Sequence, residues 1–138
     1  MELTGSCHCG AVRWTYEHNG EKPLMATACN CTVCRRYGTL WIYDRDAERV
    51  ELTGDTKAYL RSDSADLQFD FCPTCGCVVA WRATPRALHP DGSRAIAVNS
   101  RMCDDPQKVA DLPIRHFDGF DTFKSLPQDE RCVKDLWF

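Results

Sequence analysis

No apolar run in this sequence approaches the roughly 20 residues that a membrane-spanning helix needs, which argues against a membrane partner. The opening Met1-Glu2-Leu3-Thr4-Gly5 lacks a basic stretch followed by an apolar one, so no export signal is read there. There is no basic surplus either. Lys and Arg number 17 against 20 Asp and Glu, a formal net charge of -3, which removes bulk attraction to nucleic acid or an anionic surface. Internal repeats, low-complexity runs and linkers are missing too. Residues 1–138 therefore read as one domain, long enough to bury a core, with an ordinary 43% of hydrophobic residues.

Cysteine is plentiful, with 10 in 138 residues. In an exported protein that number suggests disulfides; without an export signal, the expected setting is the reducing cytoplasm, where clustered thiols bind metal. Spacing agrees. Cys7-x-Cys9, Cys29-x-Cys31-x2-Cys34 and Cys72-x2-Cys75-x-Cys77 hold eight of the ten, at separations poor for disulfides and good for sharing an ion. Cys103 and Cys132 stand alone and read as free thiols.

Between the cysteines the chain reads as short strands with turn signals, a mainly antiparallel β fold with short helical segments. Val12, Trp14 and Tyr16 share one face of a strand over 11–16. Further strands are expected over 24–28, 40–43, 49–53, 56–61, 67–71, 77–81 and 94–99. Gly54-Asp55 reads as a hairpin turn, residues 62–66 as a polar loop, and Asp104 to Val109 as a short helix opened by an Asp cap and Pro106. Residues 112–123 read as extended and aromatic. The terminal Trp137-Phe138 is expected to pack on the body or on a partner.

Gly5-Ser6-Cys7-His8-Cys9-Gly10 and Cys72-Pro73-Thr74-Cys75-Gly76 are each half of a four-sulfur set, closed to substrate and structural in role. The strand–CPTCG–strand pattern makes the second half the tip of a hairpin. Cys29, Cys31 and Cys34 are then left together. A tight turn brings residues i, i+2 and i+5 to one side, and three ligands leave a fourth tetrahedral position open, the mark of a catalytic zinc. An alternative allocation gives Cys77 to this middle set and closes both sites.

The motifs Gly5-Ser6-Cys7-His8-Cys9-Gly10-Ala11-Val12-Arg13, Cys29-Asn30-Cys31-Thr32-Val33-Cys34-Arg35-Arg36 and Phe71-Cys72-Pro73-Thr74-Cys75-Gly76 resemble those of the glutathione-dependent formaldehyde-activating enzyme family, which includes the centromere protein V type domain. The resemblance spans most of the chain. It implies a β-rich, tent-like fold of small antiparallel sheets with two zincs, a structural one on Cys7, Cys9, Cys72 and Cys75 and a catalytic one on Cys29, Cys31 and Cys34. It implies carbon–sulfur lyase chemistry on S-hydroxymethylglutathione, the adduct of glutathione and formaldehyde. Where the family has a small polar residue after C-x2-C-G, this chain has Cys77.

A glutathione pocket needs cations for two carboxylates. Arg35 and Arg36 beside the ligands are candidates, against the reading that they balance thiolate charge or face solvent. His8, His116 and Asp118 are candidates for proton transfer, and His116 lies in an aromatic segment that could cover the metal pocket. His18 and His89 read as exposed loop residues. Trp41 and Tyr43 line a pocket wall or pack in the core. Two rival functions remain at this stage. A non-catalytic interaction module needs a fourth protein ligand on the middle set, from Cys77, Cys103 or a histidine. A zinc hydrolase needs the open position but no thiol-sized cationic pocket.

Overall fold

The computed structural model describes residues 1–45, 49–61, 65–92 and 94–136. The expected packing of Trp137-Phe138 and the 62–64 part of the polar loop lie outside the described residues.

Period-2 alternation builds a three-stranded antiparallel sheet. Strand β1 (Glu2–Ser6) pairs with β2 (Arg13–Glu17), and β2 pairs with β5 (Val50–Thr53). Leu3, Trp14 and Tyr16 point into the core while Arg13 and Glu17 face water. Strand β1 escapes the sequence pattern because Leu-Thr-Gly is a weak strand signal; what holds it is tertiary. The indole of Trp14 lies so close over Gly5 that a Cβ there would sit 2.2 Å from the ring.

The remaining strands are β3 (Ala26–Cys29), β4 (Trp41–Asp44), β6 (Lys57–Leu60), β7 (Leu67–Phe71), β8 (Val78–Ala83), β9 (Ile96–Asn99), β10 (Ile114–Asp118) and β11 (Lys124–Ser125). They form one eight-stranded sheet in the order β11-β10-β3-β4-β9-β8-β7-β6, larger than the small sheets expected and antiparallel except for β10 beside β3. Alternation sends Ile42 and Val98 to one apolar cluster, against Leu3, Trp14 and Ile114, and Trp41, Ala97, Phe69 and Trp81 to another, against Cys31 and Cys34. Burial of a side chain such as Phe69 contributes about 2–3 kcal/mol. Two four-residue helices, α1 (Cys34–Tyr37) and α2 (Gln107–Ala110), complete the frame. Asp105 Oδ1 accepts from Gln107 N at 3.1 Å, the expected acidic start to α2.

The expected hairpin at Gly54-Asp55 does not form. Strand β5 pairs with β2 and β6 with β7, so the turn carries the chain from one sheet to the other. Gly54 is needed there for two reasons: its φ is 91°, and a Cβ would lie 2.2 Å from the Ala11 carbonyl oxygen. The hairpin around residues 72–77 does form, between β7 and β8. Its root is braced by Asp70, buried in β7, which accepts from Arg82 Nε at 2.7 Å and Nη2 at 2.8 Å. A two-pronged guanidinium contact is what makes a buried carboxylate tolerable.

Replacing Gly5 by Ala forces the Trp14 ring and the Met102 carbonyl apart and is expected to cost about 2–3 kcal/mol in urea unfolding. Gly20→Ala, where nothing lies within 4 Å and only a φ of 80° opposes the change, is expected to cost about 1 kcal/mol. Equal losses at both positions would contradict the packing argument.

Candidate metal centre and its neighbouring cleft

Two matched knuckles make the first cluster. After β1, Gly10 N donates to Cys7 O and Cys7 N to Val12 O, both at 2.9 Å. After β7, Gly76 N donates to Cys72 O at 2.9 Å and Cys72 N to Cys77 O at 3.0 Å. Gly10 and Gly76 close the turns with φ of 78° and 76°. The sulfurs of Cys7, Cys9, Cys72 and Cys75 all lie within 4.8 Å of one another, and Cys9 is 3.6 Å from both Cys7 and Cys72. A disulfide needs about 2.05 Å. A tetrahedron of sulfurs 2.3 Å from a zinc ion has edges of about 3.8 Å, so these donors fit such an ion. Backbone N–H groups already favour negative sulfur here. Val12 N reaches Cys7 Sγ at 3.3 Å, and Cys75 is pulled down to about 5 by the backbone N–H of Cys77 and then of Cys9.

The second cluster comes from one continuous segment. Cys29 ends β3, Cys31 sits in the turn and Cys34 begins α1. Their sulfurs lie within 4.8 Å of one another, and no fourth His, Cys, Asp or Glu joins them among the described residues. Cys31 and Cys34 are buried and Cys29 half-buried. Crowding separates their protonation. Hydrogen bonds from Cys29 and Cys34 hold the Cys31 thiol far down, to about 2, while contact with Cys29 and Cys31, then burial, pushes Cys34 up. Three such thiols can ionise together only around a cation, so this donor set also fits a thiophilic metal.

Groups that sequence reasoning passed over hold this cluster. Cys34 N donates to Cys31 Sγ and Trp41 Nε1 to Cys34 Sγ, each at 3.3 Å. Asn30, between two cysteines, donates from Nδ2 to Asp118 Oδ1 at 3.1 Å and accepts from Phe120 N at 3.0 Å. That ties the loop after β10 across the cluster. Gly119 then presses on it: a Cβ there would lie 2.6 Å from Cys29 Sγ.

Asp118 also accepts from the backbone N–H groups of Phe120, Asp121 and Thr122 and from Thr122 Oγ1. The Thr122 N–H and then Asn30 hold its carboxyl well below the usual range, so it is a fixed acceptor and not a proton donor. His116 does not cover the metal pocket. It pairs with Ala28, one position out of phase with Cys29 and so on the opposite face of the sheet, and meets Asp129 at 3.0 Å. His8 is exposed in the first knuckle and His89 is exposed with Nε2 3.0 Å from the Arg45 carbonyl oxygen. Cys77 lies beside Cys75 in the knuckle after β7, so the allocation that placed it on the middle set is corrected. Cys103 and Cys132 point to Asp105 and Asp135, away from both clusters.

Arg35 and Arg36 are exposed in the last turn of α1, and Arg36 Nη1 donates to the Thr32 carbonyl at 2.7 Å. Other cations, Lys22, Arg45, Arg49 and Arg115, surround a cleft of about 200 Å³ beside the second cluster, with His18 also in the lining and Tyr43 as a wall. His18 is thus half-buried in this lining, not an exposed turn residue. No described helix is long and apolar enough to cross a membrane.

A family model described as glutathione-dependent formaldehyde-activating enzyme matches residues 2–115. A curated protein of Halomonas elongata carrying the same description is 30% identical over 121 residues, covering 79% of this chain and 73% of its own length. In fold, the chain is similar to the crystal structure of a Rhodobacter sphaeroides protein. Their TM-score is 0.56 at 23% identity, over 80% of this chain and 98% of that one.

Gly119→Ala should expel metal from the second cluster and leave the first loaded, read as a fall in metal per folded chain. Trp41→Phe keeps the ring but removes the N–H held by Cys34. It is expected to weaken retention at the second cluster about tenfold in competition with a chromophoric chelator.

Proposed function

The chain belongs to the glutathione-dependent formaldehyde-activating enzyme family, and from that premise we propose that it is a zinc-dependent carbon–sulfur lyase. Its proposed substrate is S-hydroxymethylglutathione or a similar adduct of a small thiol and an aldehyde. The observation that carries the reading is the second cluster, three sulfurs with no fourth protein ligand among the described residues. The interaction-module reading needs that fourth ligand, and Cys77, Cys103 and the histidines all lie elsewhere. The hydrolase reading has no use for the cationic cleft beside the cluster.

The proposed loading is two zinc ions, a structural one held by Cys7, Cys9, Cys72 and Cys75 and a reactive one held by Cys29, Cys31 and Cys34. Held by Cys29, Cys31 and Cys34, zinc would supply the Lewis acidity that lowers the pKa of an incoming thiol. In the condensing direction the thiol loses its proton and the sulfur electron pair forms the bond to the aldehyde carbon. The carbonyl π pair moves to oxygen, which takes up a proton. Cleavage reverses each transfer. Tyr43 is the proposed holder of the carbinol proton. Burial pushes its hydroxyl up to about 12, against the pull of Arg115, so it stays protonated at neutral pH, and it feels the charge of Cys29 and Cys34. Arg35 and Arg36, exposed one turn from the ligands, are proposed to draw the anionic thiol in. The reducing cytoplasm is the proposed setting, because exposed thiols oxidise readily elsewhere.

The test compares zinc per chain in the native protein and in Cys31→Ser, then titrates glutathione into each while X-ray absorption follows the zinc ligands. Two zincs in the native form, one in the variant and a new sulfur ligand only in the native form support the lyase. Two sites already saturated with protein sulfur and indifferent to glutathione sink it.

A further inference from the structure

The cleft beside the second cluster has a construction of its own. Strands β3 and β4 are paired only at Thr27 and Trp41, and the cleft is lined by both strands with cations at its rim. Both His18 and Arg115 are half-buried, and one atom of each, Arg115 Nε and His18 Nδ1, is buried without a hydrogen-bond partner. The Arg115 guanidinium lies 5.3 Å from the Tyr43 ring centre and 5.7 Å from that of Phe117, wedged between two aromatic walls. A guanidinium fork presents paired N–H donors that match a planar carboxylate. Among the described residues, no acidic one is in the lining. Exposed Glu21 meets Arg49 at 3.8 Å, and buried Asp44 Oδ2 accepts the backbone N–H groups of Arg49 and Val50, which leaves Arg115 without a carboxylate partner among the described ion pairs.

Register sets the distance from this anion site to the cluster. Arg115 pairs with Thr27 and Phe117 with Cys29, so Arg115 lies two residues along β3 from Cys29 and on the same face. Two strand residues span about 7 Å. From a cysteinyl residue to the carboxylate of the glycine after it is about the same reach in an extended peptide. The γ-glutamyl end of such a tripeptide carries an ammonium group beside its carboxylate, whereas the glycyl end is a carboxylate alone and so suits a cationic cleft better.

We propose that this cleft seats the glycyl carboxylate of the glutathione-type thiol on Arg115 while the cysteinyl sulfur reaches the Cys29–Cys31–Cys34 cluster. The assignment rests on the lyase reading above. It makes Arg115 a specificity residue that reads the C-terminal end of the thiol, with Arg45 and Arg49 supporting the charge.

Calorimetric titration of the zinc-loaded protein with glutathione, its glycyl ethyl ester and γ-glutamylcysteine tests it. The native protein is expected to bind the ester and the truncated dipeptide at least tenfold more weakly than glutathione. Arg115→Met preserves the apolar stem; with zinc content and circular dichroism unchanged, it is expected to bind all three about equally weakly. An ester that binds the native protein as tightly as glutathione overturns the proposal, whether or not the variant folds. If glutathione binding is then lost in Cys31→Ser, the lyase reading survives that failure. If none of the three ligands binds the native protein, reading and proposal fall together.

Discussion

Sulfur crowded on sulfur is the constraint on which the rest depends. Four thiols within 4.8 Å of each other, from segments more than sixty residues apart, repel one another as they ionise and gain little from apolar contact. Protons or a shared cation must reconcile them, and whichever does so joins the small sheet to the hairpin of the large one. The backbone is shaped for the cation. Each knuckle aims N–H groups at sulfur and closes on a glycine at positive φ, devices that favour thiolate over thiol.

The two clusters use the same element for different ends. The first gathers four donors from two knuckles and is complete in itself. The second gathers three from one stretch and is finished by groups that are not ligands: the Trp41 indole, the Asn30 side chain and the backbone at Gly119. Two residues along β3, on the same face, lie aromatic walls and positive charge. One cluster is thus closed by its own donors, while the other has three among the described residues.

Much of this was legible in the order of residues, for a physical reason. Ligands only two or three positions apart are brought together by a local turn, so Cys7-x-Cys9, Cys72-x2-Cys75 and Cys29-x-Cys31-x2-Cys34 announce themselves. Buried alternation at Val12, Trp14 and Tyr16 announces a strand in the same way. What stayed hidden depends on partners far along the chain. Arg115 and His116 are neighbours in sequence, yet pairing with β3 sends one to the cluster face and the other away from it. The turn at Gly54-Asp55 has hairpin chemistry, but chain direction there is decided by β2 and β7. Cys77 leaves a closed middle set open as an alternative until the knuckle backbone folds it beside Cys75.

The parallel pairing of β3 with β10 joins residues 26–29 to 114–117, and Lys108 donates to the carbonyl of Glu2 across 106 positions. Such closures put the fold among topologies rich in distant contacts, which assemble slowly. Both ends of the sheet system must exist before either is secured, so a chain emerging from the ribosome shows Cys7 and Cys9 to the surrounding solution well before Cys72 and Cys75 are made. Its maturation is therefore a race between thiol oxidation and chain completion, decided by how reducing the compartment is while synthesis proceeds.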